Sequence, residues 1–277
     1  MKIHLITAFF FIFNTINAQE FIDIDTILFN CKYLYEFKQD STSLNSVKNE
    51  VMILQIGKHS SKFINENKLF SDSILRKYEN EPFSQSKMSK IIPLIQGAPT
   101  HIYTRYRIYG NYPREGKMLM TGYFNKQQLK VSEDNSIKWT IEEENDTSIL
   151  GYKCMKAYTE LWGRKFIAWF TLDIPLSYGP YKFMGLPGLI LKVSDIQNQH
   201  CFTLTEIKKE KVIHPIYFVD NNYMEVSAQE YVKALEIHNA NLYSRVNLND
   251  RVALNSDEAK ARTLNNLKSR NNFIEKY

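Results

Sequence analysis

The chain has 277 residues, 44% of them hydrophobic and 13% aromatic, with a net charge of +5. That supply of apolar side chains is ample for a packed core. Residues 1–18 contribute Lys2 and no acid, so the remainder carries a small surplus with both signs interspersed, which argues against a nucleic-acid binder.

The first element is a leader. In MKIHLITAFFFIFNTINAQE one Lys precedes an apolar run from Ile3 to Phe13, followed by a polar break and Asn17-Ala18. This is the layout of a secretory signal peptide cleaved after Ala18, with an apolar run too short to span a membrane. No later stretch is apolar over the roughly 20 residues that a membrane helix needs. The mature chain is therefore expected not to be transmembrane. No Cys adjoins the cleavage point, so no lipid anchor is expected.

Beyond the leader the sequence reads mainly as strands. CKYLYEFK puts Cys31, Tyr33, Tyr35 and Phe37 on one face and Lys32, Leu34, Glu36 and Lys38 on the other, the period-2 pattern of a half-buried strand. VMILQIG (51–57) is apolar on both faces and suits a central strand. FSDSILRKYENE (70–81) predicts a short helix capped by Ser71 or Ser73. HIYTRYRIY (101–109) alternates again, and IKWTIEE (137–143) places Ile137, Trp139 and Ile141 together. Residues 152–171 predict a hairpin turning at Trp162-Gly163-Arg164, with Met155, Ala157 and Leu161 facing inward on its first arm. GLILKVS (188–194), CFTLTEIKK (201–209) and PIYFVD (215–220) complete the strands. In VSAQEYVKALEIHNANL (226–242), Ser227 and Glu230 form a capping box ahead of helical spacing. From about Asn247 the chain turns polar. The predicted organisation is a signal peptide over 1–18, a β-rich domain over 19–246 that ends in the helix, and a helical or disordered tail over 247–277. The fold class is mainly β, a single curved antiparallel sheet (a bowl or half-barrel) with a C-terminal helix packed on it.

Motifs for chemistry are missing. Among His4, His59, His101, His200, His214 and His238 there is no HExxH or HxH spacing, so no metal site is expected. Cys31, Cys154 and Cys201 lack CxxC spacing; an exported chain permits one disulfide among them, and a small buried hydrophobe is the commoner fate. There is no GxSxG, GxGxxG or GxxxxGK[ST]. Neither a catalytic residue nor a cofactor is expected. The acidic run EEEND (142–146) reads as a solvated turn. Tyr103, Tyr109, Tyr158, Tyr178 and Tyr181 fall on faces that the alternation leaves outside the core. They either form a ligand surface or lie beneath a second layer such as the C-terminal helix.

Residues 151–195, GYKCMKAYTELWGRKFIAWFTLDIPLSYGPYKFMGLPGLILKVSD, carry a resemblance. Gly185-Leu186-Pro187-Gly188-Leu189-Ile190 is the namesake hexapeptide of the GLPGLI family, the Porphyromonas-type exported proteins of Bacteroidetes. Gly179-Pro180, Ala168-Trp169-Phe170-Thr171, Ile174-Pro175 and Gly151-Tyr152-Lys153-Cys154 also resemble its pattern. The resemblance is looser over 31–150 and fades after 220. It implies an exported protein of a diderm bacterium, a β-rich bowl and no established activity. A similar module precedes the catalytic part of one bacterial peptide-N-glycanase, which suggests a binding or accessory role.

The function expected from these readings is that of a non-enzymatic module of the periplasm or cell surface. It would bind an unknown protein, peptide or lipid through Trp169, Tyr178, Tyr181, Phe183 and Met184. One variant holds a hydrophobic cargo inside the bowl. The alternatives are an envelope hydrolase assembled from distant residues, such as Asp173, His200 or His214 with a Ser, and an accessory to an outer-membrane receptor. The motif itself reads as architecture. Gly179-Pro180 closes a loop, Phe183 and Met184 tuck against the sheet, Gly185 and Gly188 permit special backbone conformations or close approach, and Pro187 fixes φ between them.

Overall fold

The structure, a computed structural model, describes residues 20–97, 102–124, 127–142, 147–237, 258, 261, 263 and 270–276. The predicted signal peptide, His101, His238, residues 143–146 of the acidic run and nearly all of 247–269 lie outside the described residues.

The strands are β1 (Glu20–Thr26), β2 (Phe29–Lys38), β3 (Val47–Ile56), β4 (Ser61–Asn65), β5 (Arg107–Gly110), β6 (Lys117–Phe124), β7 (Gln127–Asp134) and β8 (Thr140–Glu142), then β9 (Ser148–Ile149), β10 (Tyr152–Lys153), β11 (Met155–Leu161), β12 (Arg164–Thr171), β13 (Leu189–Asp195), β14 (His200–Lys209), β15 (Pro215–Asp220) and β16 (Met224–Glu225). Helices α1 (Glu66–Lys77) and α2 (Gln85–Gln96) separate β4 from β5, and a third helix, α3, covers 228–237.

The fold is mainly β, but the chain does not form one sheet. Twelve strands run in the order β16-β7-β6-β5-β4-β3-β2-β14-β13-β12-β11-β8, while β1 pairs with β15 and β9 with β10 in two small sheets. Among the described residues the edges β16 and β8 do not pair with each other, so they do not close the large sheet into a barrel. Two meanders, β2 to β7 and β11 to β14, join where β14 pairs antiparallel with β2. All neighbours in it are antiparallel except β16 and β7.

Alternation decides which face is core. Cys31, Tyr33 and Tyr35 are buried as expected, together with Met52, Leu54 and Ile56 on β3 and Phe166, Ala168 and Phe170 on β12. Residues 172–188 lie against this face. Met184 Cε stands 3.5 Å from the position a Cβ on Gly110 of β5 would take, and the Met184 carbonyl accepts 2.9 Å from Trp139 Nε1 just before β8. In a flat sheet, β5 and β8 would lie about 38 Å apart at 4.8 Å per strand. One residue touching both shows that the sheet wraps around the loop. Helix α3 closes the β6 end: Tyr231 packs over Gly122, where a Cβ would meet its hydroxyl at 2.7 Å. The capping box forms as read, with Ser227 Oγ accepting from Glu230 N at 3.2 Å and Ser227 N donating to Glu230 Oε2 at 2.8 Å.

The opposite face is covered over β3 to β6, by α1 and the β1–β15 pair. Tyr109 is therefore core, packed on Phe218 with ring centroids 5.3 Å apart. Beside it Arg107 makes a fork on Asp72, 2.7 Å at each contact, and Lys68 adds a 2.6 Å bond to the same carboxylate. Lys62 is fully buried, with Nζ 3.6 Å from the centroid of the Tyr217 ring and no hydrogen-bond acceptor among the described residues. Burial pushes its amine well below the usual lysine value, opposed by Asp72 and reinforced by Arg107 and Lys68.

Three sequence expectations shift. α1 begins earlier than residue 70, because Asn65 accepts from Asn67 N and Lys68 N; Ser71 and Ser73 instead bond back to carbonyls of their own helix. Among the described residues of the 101–109 stretch only Arg107 to Tyr109 join the sheet, and among those of 137–143 only Thr140–Glu142. Cys31, Cys154 and Cys201 are all free.

Two predictions follow from packing. A Cβ at Gly188 would stand 1.9 Å from the Thr171 carbonyl oxygen, backbone that has no room to move. Gly188→Val should cost more than about 3 kcal/mol in urea denaturation; an unchanged midpoint would overturn this account of the bend. Lys62→Met should stabilise the fold by about 1–3 kcal/mol near neutral pH, because a buried amine without a hydrogen-bond acceptor is replaced by an apolar chain. With the folded-state pKa depressed, the unfolded chain binds the extra proton. The wild-type penalty is therefore full below the folded pKa and fades as pH rises to the ordinary lysine value. A lower melting temperature for the Met variant at neutral pH would refute this.

Candidate functional site

The β11–β12 turn positions the first group. Trp162 and Gly163 both take positive φ, 50° and 68°, the two-residue hairpin turn that matches strand twist. The turn delivers Arg164 as the first residue of β12, on the inward register of Phe166, Ala168 and Phe170. Arg164 is buried, and its guanidinium is fixed by Asp195 Oδ2 at 2.9 Å and Gln199 Oε1 at 3.0 Å. The other Asp195 oxygen accepts the N–H groups of Gln199 and His200 at 2.7 and 2.8 Å. One carboxylate thus pins both the guanidinium and the start of β14.

His200 points inward beside Tyr35, Nδ1 to hydroxyl 2.7 Å. Tyr35 stacks on Phe202 with centroids 4.1 Å apart and on Phe37 at 4.8 Å. Burial, with Arg164 and Lys276 adding to it, pushes the imidazole down to about 3, so His200 is neutral at ordinary pH.

The second group comes from the loop. Tyr181 has φ 56° and Gly185 φ 95°. At Gly179 a Cβ would lie 2.8 Å from both Ile190 Cδ1 and the Phe183 carbonyl oxygen. These bends turn Tyr181, Lys182, Phe183, Met184 and Leu186 into the concave face, all of them buried. Phe183 meets Phe166 at 4.8 Å and Trp162 at 5.5 Å. Lys182 Nζ bonds Glu133 Oε2 of β7 and Glu275 Oε1, the latter at 2.6 Å, with the Trp162 ring centroid 5.5 Å away. Tyr181 donates to the same Glu275 oxygen at 2.5 Å. Burial, then the neighbouring Glu275 charge, holds the Tyr181 phenol well above its usual range.

The third group is the segment 270–276, part of the tail expected to be loose. Asn272, Ile274 and Glu275 are buried. Arg164 donates to Asn272 Oδ1 at 2.6 Å and to the Phe273 carbonyl at 2.7 Å; Asn272 Nδ2 donates to the Lys38 carbonyl at 2.8 Å; Lys276 N donates to the Trp162 carbonyl at 2.8 Å.

Of the residues expected to bind a ligand, Tyr181, Phe183 and Met184 are core side chains. Tyr178 is half-buried, donating to the His59 carbonyl at 3.2 Å and accepting from Asn111 Nδ2 at 3.3 Å. Trp169 points to the other face of the sheet, where Lys192 Nζ sits 5.2 Å from its ring centroid. Among the described residues the interior of the wrapped sheet shows no cargo-sized space. The cavity between Phe63, Ile108 and the loop residues Tyr181 to Met184 measures about 10 Å³, room for about one water. The residues named for a hydrolase do not converge on one set of contacts. His200 faces Tyr35 rather than a carboxylate, Asp173 is exposed with its amide on Thr171 Oγ1, and the exposed His214 gives its carbonyl to Ile27 N. Among the described residues no cluster of three metal-ligating side chains occurs. Arg164 and Lys182 are buried charges that the sequence reading does not single out, although a charged residue on an inward strand register is a legible signal at Arg164.

A family model described as a protein of unknown function (Porph_ging), a Bacteroidetes-type family, matches residues 161–192. Identification with the GLPGLI family in particular remains a resemblance carried by residues 151–195. No curated protein matches the chain. Two solved structures of PNGF-II, in P21 and C2 space groups, are each 18% identical over 77% of this chain, with TM-scores of 0.45 and 0.46. The match spans 33% of those chains, about a third of their length.

The His200 environment makes a pH prediction. Because its folded pKa lies below the ordinary 6.5, the unfolded chain takes up a proton first as pH falls. Stability should drop between 6.5 and about 3, by up to about 1.4 kcal/mol per pH unit from this group. Denaturation midpoints across that range should fall less steeply for His200→Phe, which keeps a ring in the stack; identical slopes would refute the assignment.

Proposed function

We propose that this chain is an exported, non-enzymatic module of the bacterial envelope that binds a protein or peptide partner at its surface. The observation that carries this reading is the filled concave face: with residues 172–188, α3 and 270–276 packed into it, recognition falls to the rim and to the outer face. A hydrophobic cargo within the sheet is not supported by a cavity of about 10 Å³. On the outer face, Ile167, Trp169 and Tyr158 are half-buried, with Lys192 beside Trp169 and Lys156 5.1 Å from the Tyr158 ring centroid. Aromatic rings beside cations suit polypeptide recognition. Export is supported by the leader-like layout of residues 1–18. No helix among the described residues is long and apolar enough to cross a membrane. The hydrolase alternative draws no support from His200, whose ring nitrogen bonds a tyrosine.

A photoreactive phenylalanine analogue in place of Trp169 tests the reading. In cells of a diderm bacterium that natively carries the protein, irradiation should give a discrete adduct in the envelope fraction, on a chain whose N-terminus is Gln19. A chain that begins at Met1 and stays in the cytoplasm, with no adduct, would overturn it.

A further inference from the structure

The segment 270–276 is held as a ligand is held. Its backbone contacts fall at intervals: Asn271 N donates to the Gln39 carbonyl at 3.3 Å, the Phe273 carbonyl accepts from Arg164, and Lys276 N donates to the Trp162 carbonyl. Between them the side chains enter separate pockets. Asn272 bridges Arg164 and the Lys38 carbonyl, Ile274 joins the main apolar cluster, and Glu275 meets Lys182 and Tyr181. Backbone bonds that give affinity, with side-chain contacts that give selectivity, are how proteins read peptide segments.

The receiving groups are fixed by the rest of the chain. Arg164 keeps Asp195 and Gln199, Lys182 keeps Glu133, and Asp195 anchors the start of β14. Such a slot needs no occupant to assemble it. We infer that the slot between the β11–β12 turn, the end of β2 and Lys182 is a peptide-binding site, occupied in cis by residues 270–276. The ligand it takes in trans is a segment of a partner protein carrying an aliphatic residue followed by a carboxylate, the Ile274-Glu275 pattern. This deepens the binding-module reading and rests on it.

Covalent tethering presents the cis segment at an effective concentration on the order of 1 mM. A peptide of micromolar intrinsic affinity would thus bind the wild-type chain about 1,000-fold more weakly than an opened one. The test uses the full chain with Ile274→Asp and Glu275→Lys, which remove the apolar anchor and oppose Lys182. A fluorescent peptide NNFIEKY, the sequence of residues 271–277, should bind this variant with micromolar Kd. The same peptide with its Glu changed to Lys should bind at least 10-fold more weakly, and adding Lys182→Met to the variant should erase that preference. A folded variant that ignores the peptide, or binds both peptides equally, overturns the proposal. A second measurement needs no variant. In the wild-type chain the Lys276 amide should exchange with deuterium well before the β12 amides, since displacement requires local release; exchange only with global unfolding overturns it. A wild-type dimer that dissociates on Glu275→Lys would overturn it in favour of exchange of this segment between copies. Loss of peptide binding would leave the envelope adduct at Trp169 untouched, so the two readings fail separately.

Discussion

The structure depends on a close approach between two backbones. Gly188 passes the Thr171 carbonyl where no side chain fits, and Gly179 passes the Phe183 carbonyl and Ile190 in the same way. These two crossings fold residues 172–188 tightly enough to lie within the curve of one sheet. β12 and β13 then pair on either side of the excursion, with Thr171 opposite Leu189. The apolar residues of the loop supply the contacts around which a twelve-stranded sheet bends. Without them its concave face would expose Tyr33, Phe63, Phe166 and Phe202 to water, at about 25 cal/mol for each Å² of apolar surface.

Polar groups fix where that filling sits. Trp139 Nε1 holds the Met184 carbonyl and Tyr33 hydroxyl holds the Ile190 carbonyl, 2.9 and 2.7 Å. Lys182 links the loop to Glu133 on β7, at the far side of the sheet order from β12. Buried ion pairs add little net stability because desolvation offsets attraction, but an alternative packing that breaks one is strongly disfavoured. Here the pair selects one placement of the loop. The Arg107–Asp72 fork does the same on the other face by fixing α1 against β5.

Legibility followed the number of faces a strand has to satisfy. β2, with one face in the core and one half-open, showed period-2 alternation, and the β11–β12 hairpin was legible from its Trp162-Gly163 turn and the inward set of its first arm. The capping box at Ser227 and Glu230 was also readable, because the whole signal lies within one helical turn. Tyr109 was not: alternation assigned it outward, and a distant pair of strands, β1 and β15, covers it. α1 was misplaced because its Asn65 cap lies at the end of β4, ahead of the apolar spacing that marks the helix. Glu275 was unreadable in principle. Its segment is polar, and its order comes from Arg164, Lys182 and Tyr181, which no local pattern connects to it.

The aromatic residues of the motif take their places from packing. Tyr181 and Phe183 look like ligand contacts in a sequence, since exposed rings bind and their alternation is broken by Gly and Pro. Their rings instead pack with Trp162, Phe166 and Phe202, and this packing is what makes the surrounding slot rigid. A ring spent on the core still shapes a site if it fixes the polar atoms beside it. Tyr181 does this directly: its ring belongs to the apolar cluster, while its hydroxyl meets Glu275. The motif thus fixes Lys182 and Tyr181 where both meet Glu275, rather than presenting an aromatic surface.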